Sequence, residues 1–306
     1  MTGGTFLDFL TEPWQHAFMQ RAFLVAAMCG LVCGVVGSHV VLRGMAFIGD
    51  AVAHAVFPGV AIAFTLHVSL TAGGAAAGLI TALLIAVFTQ NRRLKEDSVI
   101  GVFFAAAFGL GIVILSTAPG YSGSLESFLF GQILGISDGD VATVAVSGAA
   151  LLLIAAMLHK ELVSVGLDRE TARAAGLPTF WLDIALYAMV TTAIVISIQA
   201  VGNILVLALL IIPAACARLL TDRLAMMMLL GPLIGVGACV IGLYLSYTYN
   251  IASGGMIVMV ATAAFVACWC FAPRHGMVAR IRASGRRSAP VVSGELANEP
   301  AAAQSQ

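Results

Sequence analysis

Long apolar stretches alternate with short polar connections along most of the chain. No Asp, Glu, Lys, Arg or His occurs between Asp183 and Arg218, or between Arg223 and Arg274. A helix needs about 20 apolar residues to cross a bilayer, so this pattern predicts membrane-spanning helices. We place nine spans at about residues 18–42, 51–66, 70–90, 98–116, 141–158, 183–201, 203–220, 224–244 and 254–271. Spanning β-strands would show short alternating segments. The sequence instead predicts an all-α integral membrane protein, a polytopic bundle of about eight to nine transmembrane helices.

Two segments between the predicted spans depart from this pattern. Residues 121–135 are partly apolar but too short to span, so we expect a re-entrant or interfacial helix there. Residues 159–178 form the longest polar insertion, in which Asp168 can cap a helix over 169–175 and Gly176 with Pro178 can end it. From the residues alone, this short helix is equally well a docking element or a solvated connector.

The chain divides into three parts. Residues 1–17 are mixed in character and predict an N-terminal interfacial segment, with no basic stretch and apolar core typical of a cleaved signal peptide. Residues 18–272 carry all the predicted spans and form one membrane domain. Residues 273–306 form a tail whose last part, rich in Ser, Ala and Pro, is expected to be disordered.

Composition supports the membrane assignment and excludes other classes. Hydrophobic residues make up 60% of the chain, charged residues only 10%, and the mean hydropathy is +1.02. A soluble domain carries about 25% charged residues. The formal net charge is zero, so there is no basic footprint for nucleic acid. The six cysteines lie in apolar segments without the spacing of a disulfide framework or a zinc knuckle, and are expected to be small packing residues.

Basic residues in the loops predict the orientation of the bundle. They recur at ends that alternate to the same side, which the positive-inside rule makes cytoplasmic. With nine spans, the N-terminus would lie outside, and with eight or ten it would lie inside. The basic residues concerned are Arg92, Arg93, Lys95, Lys160, Arg169, Arg173, Arg218, Arg223, Arg274, Arg280, Arg282, Arg286 and Arg287.

Asp50 and His54 lie four residues apart in an otherwise apolar stretch. On a helix, this spacing places both side chains on one face. A carboxylate oxygen and an imidazole nitrogen suit zinc, manganese or ferrous iron, and two ligands leave coordination positions open. Ionisable residues at membrane depth are costly and are therefore functional candidates. The pair predicts a site that ions can leave; the alternative is a structural bond between the two side chains or to a neighbouring helix.

His39, near the end of the first span, is a weaker candidate for a third metal ligand. The simpler alternative is that its ring bonds a backbone carbonyl within the bundle. Both interpretations stay open, and the third ligand is unassigned.

Six segments together resemble the permease subunits of the zinc, manganese and iron family of bacterial ABC importers. Any one of them would be a weak signal, but their order and spacing make the combination specific, and the resemblance covers most of residues 18–272. The segments are residues 40–61, 95–101, 127–135, 176–178, 208–220 and 253–258. The family usually has an uncharged residue at the position of His39. This departure leaves open an extra ligand or a different metal preference.

The resemblance implies a transmembrane permease domain that forms a homodimer around a central pathway in the bacterial cytoplasmic (inner) membrane. It implies two further partners, a cytoplasmic ABC ATPase subunit and an extracytoplasmic metal-binding protein that delivers the ion. The transported ion would be zinc, manganese or iron, and no permanently bound cofactor is expected. The chain has no G-x-x-x-x-G-K-[ST] phosphate loop, so we expect a separate ATPase chain to hydrolyse ATP.

The resemblance also assigns roles to residues. Asp50 and His54 match transient ligands of the transported ion. The helix at about 168–176 resembles the coupling helix that sits in a groove of the ATPase. The residues assigned to this coupling are Leu167, Asp168, Arg169, Glu170, Arg173, Gly176, Leu177 and Pro178.

Other functions compete with the ion importer. A permease of similar architecture could carry a metal chelate, and a proton-coupled secondary metal transporter could use Asp50 and His54 as a proton relay. An intramembrane metalloprotease would need an H-E-x-x-H motif or an equivalent base, and the chain contains no such motif. Asp with His serves zinc, manganese and iron alike, so the residues do not choose among these metals.

Overall fold

The computed structural model of the chain describes residues 12–90, 93–117 and 133–272. It contains no strand in these ranges, and nine of its helices are long and apolar enough to cross a membrane. The α-helices are α1 (Ala17–Leu42), α2 (Ile48–Thr65), α3 (Leu70–Phe88), α4 (Glu96–Thr117), α5 (Asp138–Met157), α6 (His159–Leu167), α7 (Arg169–Ala174), α8 (Thr179–Val201), α9 (Asn203–Leu220), α10 (Leu224–Tyr249) and α11 (Ser253–Phe271). All except α6 and α7 are candidate spans. The predicted all-α polytopic fold is confirmed.

Several predicted boundaries shift in ways that matter for the site. α2 begins at Ile48, so Asp50 lies inside its first turn. α8 begins at Thr179, so Asp183 lies inside the helix rather than at its start. α6 forms a helix in a region that the sequence predicts only as a polar insertion. Most of the predicted re-entrant segment at 121–135 and the whole of the 273–306 tail lie outside the described residues.

α1 lies at the centre of the bundle and packs against α5, α8, α9 and α10. Glycines permit this close packing. A Cβ on Gly37 would lie 1.8 Å from the carbonyl oxygen of Leu210 in α9, and one on Gly34 would lie 2.6 Å from Cα of Pro232 in α10. Lipid gives helices no hydrophobic reason to associate, so tight van der Waals packing of this kind stabilises the bundle.

Ionic contacts tie together each of the two ends of the bundle. At one end, Arg43, which follows α1, pairs with Asp183 of α8. The loops predicted to be cytoplasmic from their basic residues lie at this end, which we call the basic end. At the opposite end, Arg21 of α1 pairs with Asp138 of α5 at 2.7 Å.

The described part of the predicted N-terminal segment packs on the end opposite the basic end. Residues Glu12–Gln15 form a 3-10 turn. The Trp14 ring stacks on Phe23 of α1 with centroids 4.8 Å apart, and its indole N–H donates to the Tyr244 hydroxyl of α10. Aromatic residues with one polar atom are typical of membrane interfaces, which agrees with the predicted interfacial position.

Candidate metal-ion site

α2 brings Asp50 and His54 together on one face. Nε2 of His54 lies 3.5 Å from Oδ1 of Asp50. Two ligand atoms that are each about 2.1 Å from one ion lie roughly 3.0–3.4 Å apart. The two side chains can therefore bind the same ion after only a slight movement.

The pair is accessible, since 36% of the Asp50 side chain and 23% of the His54 side chain are exposed. The described residues contain no group of three His, Cys, Asp or Glu side chains suited to hold a metal ion. Complete four-ligand sites hold zinc permanently, whereas open positions admit water or an incoming ligand. The geometry suits an ion that binds briefly and leaves.

Two aromatic rings of α4 fix the orientation of the His54 imidazole. The rings of Phe104 and Phe108 meet it edge-on, with centroid distances of 5.0 and 5.3 Å and interplanar angles of 87° and 88°. These two phenyl rings are nearly parallel to each other. They cover one side of the imidazole, whose Nε2 faces Asp50. The position of α4 therefore affects the position of the His54 ring.

The start of α2 is pressed against α9. A Cβ on Gly49 would lie 2.7 Å from a Leu210 methyl group and 3.3 Å from one of Leu207. Asp50 follows directly and lies among the unpaired N–H groups of the first helical turn. The positive end of the helix dipole stabilises the carboxylate by about 0.3–1 kcal/mol and opposes a cation by a similar amount. An ion held by Asp50 would therefore be bound less tightly than the carboxylate alone suggests.

His39 does not join Asp50 and His54 in a three-ligand group within the described chain. Its side chain is 1% exposed and meets His159 edge-on, with ring centroids 5.6 Å apart. Neither ring nitrogen has a hydrogen-bond partner there. Arg43 follows one helical turn later, and its positive charge opposes a cation at this position.

The predicted coupling region is a pair of short helices at the basic end. Between α6 and α7, Asp168 has extended backbone angles, and its carboxylate accepts hydrogen bonds from the backbone N–H groups of Glu170 and Thr171. A hydrogen bond from the Thr171 hydroxyl, together with these backbone bonds, lowers the pKa of Asp168 below its usual value. Gly176 follows α7 with φ of +84°, a conformation that favours glycine. The predicted cap and stop therefore lie where expected.

The sequence profile of the ABC 3 transport family matches residues 15–272. The chain belongs to the ABC 3 transport family. This permease is therefore a multi-pass protein of the bacterial inner membrane, and the resemblance predicted from its six segments is confirmed.

Relatives cover nearly all of the permease. The manganese transport system membrane protein MntC of Halalkalibacterium halodurans is 39% identical over 272 residues, 89% of this chain and 93% of the relative. The chelated iron transport system membrane protein YfeC of Yersinia pestis is 36% identical over 287 residues, 94% of this chain and 97% of the relative. A chain in the structure of PsaBC from Streptococcus pneumoniae in complex with Fab is 35% identical, with a TM-score of 0.78 over 89% of the permease and 98% of that chain.

The predicted coupling residues of the permease divide between two surfaces. α6 and α7 meet at a bend, which we call the elbow, and Leu167 is 71% exposed there. Glu170, Arg173, Gly176 and Pro178 are exposed as well, whereas Leu177 packs partly against the core. Arg169 instead turns inward, toward the bundle.

Arg169 belongs to an ionic network of the permease that sequence reasoning missed. Asp183 of α8 accepts from Arg43 at 2.6 Å and from Arg169 at 2.5 Å, and Arg169 lies 3.5 Å from Glu96 of α4. The sequence carried one usable signal, because Asp183 and Arg43 are ionisable residues beside apolar spans and such residues need partners. Which charges pair depends on the tertiary structure.

Proposed function

We propose that this permease is the membrane subunit of an ATP-driven importer that carries a divalent transition-metal ion, with manganese as the first candidate and iron and zinc as the others. The observation that carries the proposal is the Asp50–His54 pair, accessible and spaced to hold one ion. The relatives named for manganese and iron transport support a metal cargo. The donor set itself serves all three metals.

The two ligands act on the ion in different ways. Asp50 supplies negative charge that offsets part of the ion's lost hydration. His54 binds only when its imidazole is neutral, because a protonated ring has no lone pair for a metal. Since the protein offers two ligands, water or a group from the delivering protein fills the other positions. The ion can leave when α2 and α4 shift and His54 moves away from Asp50.

The proposed assembly contains two copies of this chain, two cytoplasmic ABC ATPase subunits and an extracytoplasmic metal-binding protein. The exposed elbow of α6 and α7 supports the ATPase contact, because Leu167 presents an apolar side chain and Arg173 of α7 is exposed as well. The absence of a phosphate loop in the sequence supports a separate ATPase chain. The partly exposed face of Asp50 and His54 would line the pathway.

The site assignment is tested with the double substitution Asp50→Ala and His54→Ala in the complex reconstituted in vesicles. We expect manganese uptake to fall to the level of vesicles without permease, because both ion ligands are gone. Assembly with the ATPase should be retained. His67→Asn is the matched control: it removes a histidine from the exposed turn after α2, and asparagine tolerates its φ of 55°. Retained uptake in the double variant would overturn the site assignment.

A chelate permease is the second candidate function, favoured by the name of YfeC as a chelated iron transport protein. A competition assay between the free ion and the chelate distinguishes the ion importer from the chelate permease. If a bare ion is the cargo, excess free manganese displaces labelled manganese, and excess iron chelate does not. If the chelate is the cargo, the chelate competes, and removal of Asp50 and His54 has little effect on its uptake.

A further inference from the structure

Asp183 is a buried charge at the basic end that is held from two sides. Its side chain is 1% exposed, and its two oxygens are held by different arginines: Oδ1 accepts from Nη1 of Arg43, and Oδ2 accepts from Nη2 of Arg169. The Arg43 side chain is 8% exposed. With Glu96 beside Arg169, the network contains two positive and two negative charges. A buried charge is strongly unfavourable without its partner, so Asp183 and Arg43 move together, and the partly exposed Arg169 and Glu96 extend this buried pair to α7 and α4.

One arm of this network reaches the turn before α2. Arg43 follows α1, and the turn from Gly44 to Phe47 leads into α2 and Asp50. α8 contacts this turn at a second point. The Tyr187 hydroxyl, one helical turn after Asp183, donates a hydrogen bond to Sδ of the buried Met45 at 3.5 Å. Movement of α8 relative to the rest of the bundle is therefore passed to the start of α2.

The other arm reaches His54 through α4. Nη1 of Arg169 lies 3.5 Å from Oε1 of Glu96, the first residue of α4. The same helix carries Phe104 and Phe108, whose rings meet the His54 imidazole. A shift of α4 along or across the bundle therefore moves the rings that orient this ligand.

α6 and α7, which we call the coupling segment, contact both arms of the network. Arg169 is the first residue of α7 and contacts both Asp183 and Glu96. Arg43 also donates from Nη2 to the backbone carbonyl of Leu162 in α6, at 3.4 Å. The planar guanidinium of Arg169 has fixed donor directions, so it cannot follow two carboxylates that move apart. A displacement of α7 must therefore carry α4 and α8 with it or break one of these contacts.

We propose that Asp183, Arg43, Arg169 and Glu96 form the transmission between the coupling segment and the ion ligands. This inference rests on the proposed function for the identity of α6 and α7 as the coupling segment. When the ATPase moves α7, Arg169 shifts α4 and the phenyl rings against His54, while Asp183 and Arg43 shift the start of α2 with Asp50. The separation of the two ligands changes, and the ion is bound or released. Asp183 and its partners are positioning residues, since none contacts the ion.

The test uses the complex of the permease with its ATPase in lipid nanodiscs. Phe47 caps α2 and is 64% exposed, so Phe47→Cys provides a labelling position for a fluorescent reporter next to the ion site. ATP binding should change the reporter signal in the complex with an intact network. In Arg169→Gln and Glu96→Gln, we expect this change to fall about fivefold or more, the lower end of the usual coupling between two sites. This readout requires no transported ion, so it is independent of the cargo proposed above.

Arg21→Gln is the matched control, because it removes an arginine that pairs with Asp138 at the opposite end of the bundle. In this variant, we expect ATP binding to change the reporter signal as much as it does in the complex with an intact network. Glu96→Gln lies outside the coupling segment, so it decides the outcome if Arg169→Gln loses the ATPase. The proposal would be overturned if ATP still produced the full change of the reporter signal in Glu96→Gln with the ATPase bound. It would also be overturned if Arg21→Gln reduced this change as much as Arg169→Gln and Glu96→Gln do. Manganese uptake by the unlabelled wild-type complex tests the proposed function separately.

Discussion

Asp50 and His54 show how far residue spacing alone predicts chemistry. Four residues on a helix place two side chains on one face, and the structure brings their ligand atoms to 3.5 Å. The spacing says nothing about the phenyl rings that hold His54, because Phe104 and Phe108 come from another helix. It also did not exclude His39 as a third ligand, although the structure places His39 on α1 against His159. The role of the pair as ion ligands stays a prediction.

Gly37 provides a stability prediction at the residue scale. In Gly37→Ala, the new Cβ would meet the Leu210 carbonyl oxygen, so α1 and α9 must separate. We expect a loss of roughly 3 kcal/mol, at the upper end of typical overpacking costs, seen as a lower midpoint of thermal unfolding in detergent. Gly237→Ala is the control, because no atom beyond its own helical turn lies within 4 Å of the position that its new Cβ would take, and alanine favours a helix. Equal midpoints for the two variants would contradict this packing argument.

At the scale of elements, the proposed coupling segment contains one helix more than the sequence predicts. α7 was predicted from its cap and stop signals, whereas α6 was not. Leu158, Leu162 and Val165 recur at helical spacing, and in the structure they pack on the bundle, with Leu162 and Val165 buried. α6 ends because Asp168 leaves the helical conformation and caps α7. The two helices therefore form an elbow held by one residue.

Asp168 tests the importance of this elbow. In Asp168→Ala, the N–H groups of Glu170 and Thr171 lose their acceptor, so α7 should fray and bind the ATPase more weakly. We expect a higher ATPase dissociation constant in Asp168→Ala. Asp168→Asn should retain near-wild-type affinity, because asparagine is an equally good N-cap. Equal losses in both variants would show that the charge, rather than the cap, holds the elbow.

The lowered pKa of Asp168 also predicts a pH dependence for the elbow. Because the folded protein holds this carboxyl group more strongly in its charged form, its contribution to stability is complete above the ordinary pKa of 3.8. It is lost as the pH falls through the lower pKa of the folded state. ATPase binding should therefore show no change due to Asp168 between neutral pH and about pH 5. A difference between wild type and Asp168→Asn in the slope of binding against pH over that interval would contradict this assignment.

At the scale of the whole molecule, the arrangement of charge predicts the orientation in the membrane. The basic end carries the coupling elbow and the loop between α3 and α4. The turn between α2 and α3 lies at the opposite end. Labelling of one introduced cysteine at a time in oriented vesicles checks this orientation. Lys95→Cys should react with an impermeant maleimide only from the cytoplasmic side, and Val68→Cys only from the other side, above the background of wild-type cysteines. Labelling of both from one side would overturn the predicted topology.

The sequence by itself determined the class of fold, the approximate bounds of the spans and the family, and it limited the number of spans to about eight to nine. These follow from local properties, because each span is a long apolar run and each motif is contiguous. Segment ends were less well determined: α8 begins before Asp183 rather than at it, since Thr179 starts the helix after the stop at Pro178. Local signals do not specify where a polar residue near a boundary will find its partner.

Only the tertiary structure decided which distant residues meet. Arg43 and Asp183 are 140 positions apart, and Glu96 contacts Arg169 from a different span. The first pair arises because α1 packs against α8, and because buried charges must be paired where they lie. The proposed link between α6–α7 and the Asp50–His54 pair likewise depends on contacts between distant residues. Spacing along the chain placed Asp50 beside His54, and packing across the bundle connected them to the end where the ATPase is proposed to bind.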